Sequence, residues 1–380
     1  MMLGKPPLIE KAYRLAKETK AFLIKRNGNL VMFTYAYVHP VMADPEAREL
    51  RGIIYDSVSG NVVSRPFHKF FNYREPPFGL TREGFPDGEV YLAPKIDGYL
   101  LQVSLLEDGS LLKASRRSLS PTLLNSVLEE VWGEREEEAT REVLERLPRP
   151  ATLLFEVTSS KRPVLVRHQA SEVRFLVARE IGTGRYLLPD EVGWPIEGQS
   201  LPWTRVRIDP DNFLEEIKDL EGVEGYVAFL PEKNEFVKFK TKWAFRLSGF
   251  LLDPVEGFVS AYVEDRVDDL LASLTERPDL QEAILRAKEL LDGLFSEATS
   301  LGEELRERGI VRKEAWEQVS SWAKGKGLSG IEGVLKEVAM VAYSGGQARE
   351  AFLKGIGKGK SVDFLKTLDL FPRVGEEVGA

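Results

Sequence analysis

A change of hydrophobic period near Pro254 divides this 380-residue chain. Before it, short apolar runs are bounded by turn residues or alternate with polar ones, as strands do. Beyond it, apolar residues recur at helical spacing. Val267, Leu270, Leu271 and Leu274 show that spacing, and so do Ile284, Leu285, Leu291, Leu294 and Leu301. Further helical blocks cover 313–343 and 348–368, punctuated by Gly309 and the Gly325/Gly327 pair. The chain is therefore expected to be α+β, with an antiparallel-sheet core, an N-terminal α/β segment and an all-helical C-terminal region. The expected divisions are 1–85, 86–247, 248–312 and 313–380.

The N-terminal segment predicts an amphipathic helix over 8–25, carrying Leu8, Ala12, Leu15, Ala16 and Phe22. Strands follow at 30–38, 52–55 and 61–64, with a hairpin turn at Ser59-Gly60-Asn61. From 90 to 245 strands dominate, interrupted by one helix. Ser120 caps it, Pro121 opens it, and Leu124, Val127, Leu128 and Val131 face inward. It breaks at Gly133 and resumes to 147.

One run inside the strand-rich body carries reactive chemistry. Lys95-Ile96-Asp97-Gly98 lies between an extended Val90-Tyr91-Leu92 and the strand-like Leu100–Leu105. A lysine at a strand boundary, with glycine beside it, places an amine where backbone turns closely under a nucleotide. Alone the pattern is weak, arising by chance about once in twenty chains of this length. Its company is informative. Lys113-Ala114-Ser115-Arg116-Arg117 follows, then Phe155-Glu156, Glu224-Gly225-Tyr226-Val227 and Lys238-Phe239-Lys240-Thr241-Lys242. Period two puts the three lysines on one face, which needs an anion opposite it or bulk water.

In this order the motifs resemble the covalent nucleotidyltransferase superfamily, an ATP-grasp-like ligase fold, and within it the RNA ligases. Arg51-Gly52-Ile53-Ile54-Tyr55 and Ser64–Asn72 are similar to the segments preceding the nucleophile in phage tRNA-repair and archaeal ATP-dependent RNA ligases. Length, the position of Lys95 and the helical tail look most like the archaeal homodimeric family. The resemblance covers about 51–243. Nothing after Pro254 reads as the strand-rich barrel that DNA ligases and capping enzymes carry there, which disfavours both. An idle nucleic-acid-binding homologue remains the alternative outside enzymes.

The resemblance implies a lysyl-AMP intermediate on Lys95, then transfer of AMP to an RNA 5′-phosphate and sealing by a 3′-hydroxyl. It implies that Asp97 and Gly98 support the nucleophile, Arg116 lies by the ribose, and Glu156 binds ribose or metal. Glu224 would hold Mg²⁺ or Mn²⁺. Arg51 and Lys69 would receive the β- and γ-phosphates of ATP, and Phe175 would stack on adenine. Two positions depart from the family pattern. Tyr99-Leu100 follows the glycine where many ligases place an arginine, and Arg116-Arg117 replaces a lysine-glycine pair.

The nucleophile must be neutral, yet only about one free lysine in two thousand is uncharged at pH 7. Burial and the cations Lys238 and Lys240 are expected to lower the pKa of Lys95. Other features read as ordinary structure. Phe70 and Phe71 suit a core, and His39, His68 and His168 form no metal spacing. The acidic runs at 134–138, Glu303-Glu304 and Glu376-Glu377 suit solvated helix faces. Gly355-Ile356-Gly357-Lys358-Gly359-Lys360-Ser361 imitates a P-loop, but Lys354 stands where the first glycine is required.

Composition sets the outer bounds. With no cysteine, disulfides and thiolate metal sites are excluded. A net charge of −8 requires an RNA-binding protein to gather its basic residues along one groove. The absence of a long apolar run predicts a cytoplasmic protein with no membrane partner. Few methionines and many charged residues lean toward a thermophilic source. The apolar helical block over 255–305 and the family likeness together predict a homodimer.

Overall fold

The computed structural model describes residues 6–272, 274 and 277–371, apart from the side chains of 122 and 123. Glu376-Glu377 lie outside the described residues. The chain divides into two compact units, Met1–Ala244 and Phe245–Ala380. No described helix is long and apolar enough to cross a membrane.

The first unit opens with helix α1 (Pro7–Glu18), strands β1 (Phe22–Asn27) and β2 (Leu30–Tyr35), a short α2 (Pro45–Arg48), then β3 (Ile53–Asp56) and β4 (Val62–Ser64). The four strands form an antiparallel sheet in chain order. The helix expected over 8–25 stops early because 22–27 pairs in register with 30–35, across a two-residue loop in which Gly28 takes φ 56°. Ile9, Ala12 and Leu15 of α1 bury against Val31, Phe33 and Ile53.

Two more antiparallel sheets follow. Their elements are β5 (Val90–Pro94), β6 (Tyr99–Leu105), β7 (Leu111–Ser115), α3 (Thr122–Val131), α4 (Glu134–Arg146), β8 (Ala151–Thr158), β9 (Glu172–Glu180), β10 (Tyr186–Leu187), α5 (Pro189–Val192), β11 (Thr204–Val206), α6 (Pro210–Ile217), β12 (Gly225–Leu230) and β13 (Glu235–Lys240). One sheet has the order β10-β9-β8-β6-β7 and the other β11-β5-β12-β13. The single helix expected here is four. α3 and α4 divide at Gly133 as anticipated, but Pro121, not Ser120, is the N-cap of α3. α6 carries a readable start, because the Asp209 carboxylate accepts from the amides of Asp211 and Asn212 and Pro210 follows it.

Strand parity places the site. On β8, Leu153, Phe155 and Val157 pack under α3 and α4, whereas Leu154 faces the second sheet. Glu156 shares the parity of Leu154. On β13, Val237 and Phe239 join one core, while Phe236 enters the layer between the sheets with Leu154, Ala93 and Phe229. Lys238 and Lys240 continue the face of Phe236, and Lys95 continues that of Tyr91 and Ala93. The reactive residues thus lie where the apolar layer between two sheets gives way to polar side chains.

The second unit is helical, with the division falling inside α7 (Lys242–Leu252). It continues with α8 (Pro254–Val263), α9 (Val267–Ala272), α10 (Pro278–Glu307), α11 (Arg312–Gly325), α12 (Glu332–Tyr343), α13 (Ala348–Ile356) and α14 (Gly359–Thr367). The P-loop-like run is the junction of α13 and α14, where the Ser361 hydroxyl donates to the Gly355 carbonyl at 3.0 Å. Val255, Phe258, Ile284 and Leu291 are buried within this unit, whereas Leu285 is 47% exposed.

Candidate active site

Lys95 leaves β5 with its amide bonded to the Gly225 carbonyl at 2.9 Å, which fixes it beside the start of β12. Gly225 takes φ 139°, and a Cβ there would lie 2.0 Å from the Phe239 carbonyl oxygen. Only glycine permits this approach. The turn presents Glu224, whose Oε2 lies 2.5 Å from Lys95 Nζ and whose Oε1 lies 3.0 Å from Lys240 Nζ. Gly98 has a similar constraint. Its Cβ would meet the Val157 carbonyl at 2.6 Å, so the motif runs tightly along the strand that carries Glu156.

Asp97 faces away from this pair. Its carboxylate accepts from the amides of Leu165 and Val166 at 2.5 and 2.7 Å, and its carbonyl contacts His168 Nε2 at 2.6 Å. It anchors the segment after β8 beneath the nucleophile. Burial, with Glu224 adding repulsion, pushes Asp97 up to about 7, and burial pushes Glu156 up to about 8. Burial also opposes ionisation of Glu224, but Lys95 and Lys240 outweigh it and hold that carboxyl below its usual range.

A cationic wall completes the site. Lys238 Nζ lies 4.9 Å from the Phe70 ring centroid, and the Arg51 guanidinium 5.9 Å from the same ring. Lys69 Nζ and the Arg116 guanidinium lie 5.9 and 5.6 Å from the Tyr35 ring. The backbone builds this cluster by hooking 71–73 onto β13. Lys238 N donates to Phe71 O, and Tyr73 N donates to Lys238 O. Gly52 takes φ 101°, and a Cβ there would stand 2.8 Å from the Arg116 carbonyl, so Arg51 sits close to Arg116.

Burial and neighbouring cations depress several of these groups. Lys69 is lowered by burial and by Arg51, and Arg116 is lowered to about 10 by burial and Arg51. Lys238 is pushed well below its ordinary range by burial and by Lys69, Lys240 and Lys95. Arg51 Nη1 is buried without a hydrogen-bond partner. A buried donor of that kind is unfavourable unless an anion satisfies it.

The structure brings together Lys95, Glu156, Glu224, Lys238, Lys240, Arg51, Lys69 and Arg116, as the motifs anticipate. It corrects three expectations. Phe175 does not reach a base. It is fully buried, stacked on Trp194 at 4.8 Å and packed against Phe155 on the opposite face of the sheet from Glu156. Lys242 is not a third strand lysine, because it begins α7 and pairs with Asp219 at the surface. Finally, the Lys95 pKa is raised, not lowered. Burial favours the neutral amine, but the Glu224 and Glu156 charges outweigh it, and Lys238 is the depressed lysine instead.

Two participants escaped the motif analysis. Tyr35 at the end of β2 is held below its usual range despite burial, because Arg51, Lys69 and Arg116 surround it. His168 carried no signal beyond its lone imidazole.

Among the described residues no three Asp, Glu or His side chains gather as a metal cluster. Glu156 and Glu224 are nevertheless oxygen donors of the kind that would hold a divalent cation. Burial, with Glu224 and Asp97 adding repulsion, raises the Glu156 carboxyl to about 8, and a bound cation would offset those effects.

Residues 49–247 match the family model described as RNA ligase. RNA ligase 1 of Bacteriophage TS2126 is 44% identical, with the alignment covering 99% of this chain and 96% of its own. A protein of Thermovibrio ammonificans provisionally named RNA ligase is 30% identical over 80% of this chain and 82% of its own. Among solved structures, an archaeal ATP-dependent RNA ligase covers 77% of this chain and 83% of its own, at 18% identity and a TM-score of 0.48. With an amine, two carboxylates and a wall of cations converging between two antiparallel sheets, and with relatives aligned along its length, the chain belongs to the RNA ligase family.

Proposed function

We propose that this RNA ligase uses ATP, and that Lys95 carries AMP covalently between activation and sealing. The observation that carries the reading is the juxtaposition of the Lys95 amine and its carboxylates with a buried, partly unsatisfied cationic wall. One part supplies a nucleophile and the other an anion receptor, which is what attack on a nucleoside triphosphate requires.

In the resting site Lys95 is an ammonium held by Glu224, so it must lose a proton first. Its side chain is 22% exposed, which gives that proton a path to water. The neutral Nζ then attacks the α-phosphorus, the bond to the β-phosphate oxygen breaks, and pyrophosphate leaves. Arg51, Lys69 and Lys238 would receive the departing phosphates. An arriving anion would strengthen Lys238's hold on its proton, offsetting the burial and the neighbouring lysines that depress its pKa. Arg116 would bind the nucleotide from the other end of the wall. A divalent cation held by Glu224 and Glu156, Mg²⁺ or Mn²⁺, would neutralise the charge that keeps Lys95 protonated.

AMP then passes from Nζ to the 5′-phosphate of RNA, restoring the amine. A 3′-hydroxyl attacks that phosphate, forming the phosphodiester and releasing AMP. A homodimer is proposed mainly on the family resemblance, since most apolar residues of α8 and α10 that motivated it are buried, with Leu285 at 47% exposure the exception. Light scattering that finds only a 42.8 kDa species at micromolar concentration would remove it.

The test is incubation with α-labelled ATP and Mg²⁺ or Mn²⁺, followed by denaturing electrophoresis. Label is expected on the wild-type chain and absent from K95A, and it should chase onto 5′-phosphorylated RNA. Wild-type protein that takes no label with either metal would refute the reading.

A further inference from the structure

We propose that the groove between α11 and α12 is a docking site for a single-stranded nucleic-acid segment, with a base stacked on Trp316 and the backbone on Arg312 and Lys313. The groove has a volume of about 420 Å³, and its lining includes Arg312, Trp316, Gly333, Lys336, Glu337 and Met340. An adjoining pocket of about 480 Å³ is lined by Arg312, Lys313, Trp316 and Met340, so the same tryptophan forms a wall of both.

Trp316 is 51% exposed and lines both pockets, which leaves its ring accessible to a ligand. The occupant is indicated by charge. Arg312 and Lys313 are exposed and make no ion pair among the described residues, in a chain whose net charge is −8. They also occupy the first turn of α11, where cations oppose the helix dipole, so helix stability does not account for them. Lys336 is already paired with Glu332 at 2.5 Å. Glu337, on the far wall, would repel phosphate and confine the backbone to the Arg312 and Lys313 end.

An exposed aromatic beside exposed cations is the arrangement that binds single strands without sequence preference. Met340 offers a polarisable surface for the edge of the base. Gly333 keeps the groove open, and a Cβ placed there meets nothing within 4 Å. The proposal draws on the ligase reading only for the kind of strand the protein would meet.

The test uses the full chain and a fluorescein-labelled 12-nucleotide oligoadenylate with a 5′-hydroxyl, which cannot be activated. Binding is followed by anisotropy across salt concentrations, and lysyl-AMP formation is measured in parallel. W316A is expected to weaken binding by about five- to a hundredfold. R312E/K313E should weaken it and flatten the salt dependence. G333L fills the groove from an open helical position and should also weaken binding. In all three, adenylation of Lys95 should match wild type. Wild-type affinity in W316A or G333L overturns the proposal, as does a parallel fall in adenylation. If wild type takes no label, the ligase reading fails while the anisotropy comparison still decides this one.

Discussion

In Met1–Ala244 the chain buries Lys69, Asp97, Glu224, Lys238 and Lys240, whereas in Phe245–Ala380 the buried polar side chains among the described residues are Arg277 and Ser361. Taking an ionic group out of water is costly unless a partner answers it. The first unit accepts that penalty several times within one site. It leaves one guanidinium nitrogen unanswered and one lysine far from its ordinary range. The helical unit instead gains its specificity from close packing. Gly302 of α10 lies against α12, where a Cβ would fall 2.0 Å from the Ala339 carbonyl oxygen. Gly355 of α13 lies against the Val334 side chain, whose Cγ1 a Cβ would meet at 2.5 Å. Buried charge that packing does not need marks the region doing chemistry.

The sharpest test of this contrast is Lys238→Met. The side chains are similar in length, and among the described residues Lys238 has no carboxylate at ion-pair distance. Removing its charge should therefore leave the melting temperature equal or higher. Adenylation should fall by about 10²–10³-fold, the range for loss of one preorganised charge-stabilising group. A lower melting temperature with adenylation intact would make Lys238 structural and erase the contrast.

The matching experiment in the helical unit is Gly302→Ala. Helix propensity alone would favour alanine by about 1 kcal/mol. Here the new methyl group meets a backbone carbonyl that cannot step aside, so we expect a net destabilisation of about 1–3 kcal/mol. Thermal melting followed by circular dichroism reads it, and lysyl-AMP formation at permissive temperature should persist. A melt above wild type would show that the α10–α12 contact is not the packing element described.

Much of the site was legible because strand parity is a local property. Lys95, Glu156, Lys238 and Lys240 each share a face with apolar neighbours that the sequence also displays. What the sequence withheld was register. In β8 and β9, Glu156 lies opposite Arg174 and Phe155 opposite Phe175, with a bulge between Leu154 and Phe155. Phe175 therefore faces away from Glu156, a fact that no count along either strand provides. The pKa of Lys95 departs from the sequence expectation for a related reason. The lysines were visible, but the turn at Gly225 that brings Glu224 to 2.5 Å is a tertiary event. Tyr35 was missed because an uncharged residue at a strand end carries no signal of the cations that fold around it.

Phe175→Leu turns that correction into a measurement. Loss of ring packing against Trp194 and Phe155 should destabilise the first unit by about 1–2 kcal/mol. The KM for ATP should remain at the wild-type value. A rise in KM without loss of stability would return Phe175 to the nucleotide.

The smallest effect, and the finest probe of the contrast, is the pH dependence of Glu156→Gln. Glu156 titrates at about 8 in the folded chain against an ordinary 4.5. The native state thus holds its proton more tightly than the unfolded state. Its contribution to stability is complete below about pH 4.5 and is lost as pH rises toward 8. Glutamine cannot ionise and escapes that loss. Discounting for its partial exposure leaves roughly 1 kcal/mol, so E156Q should melt about 2–4 °C above wild type at pH 9. At pH 5 the two should nearly coincide, since little of the wild-type loss has yet occurred. Adenylation by E156Q should be reduced at both values, because the neutral amide gives a cation no charge to bind. An equal melting difference at pH 5 and pH 9 would mean that the carboxyl is not strained by ionisation. Glu156 would then be an ordinary half-buried acid whose ionisation the fold does not oppose.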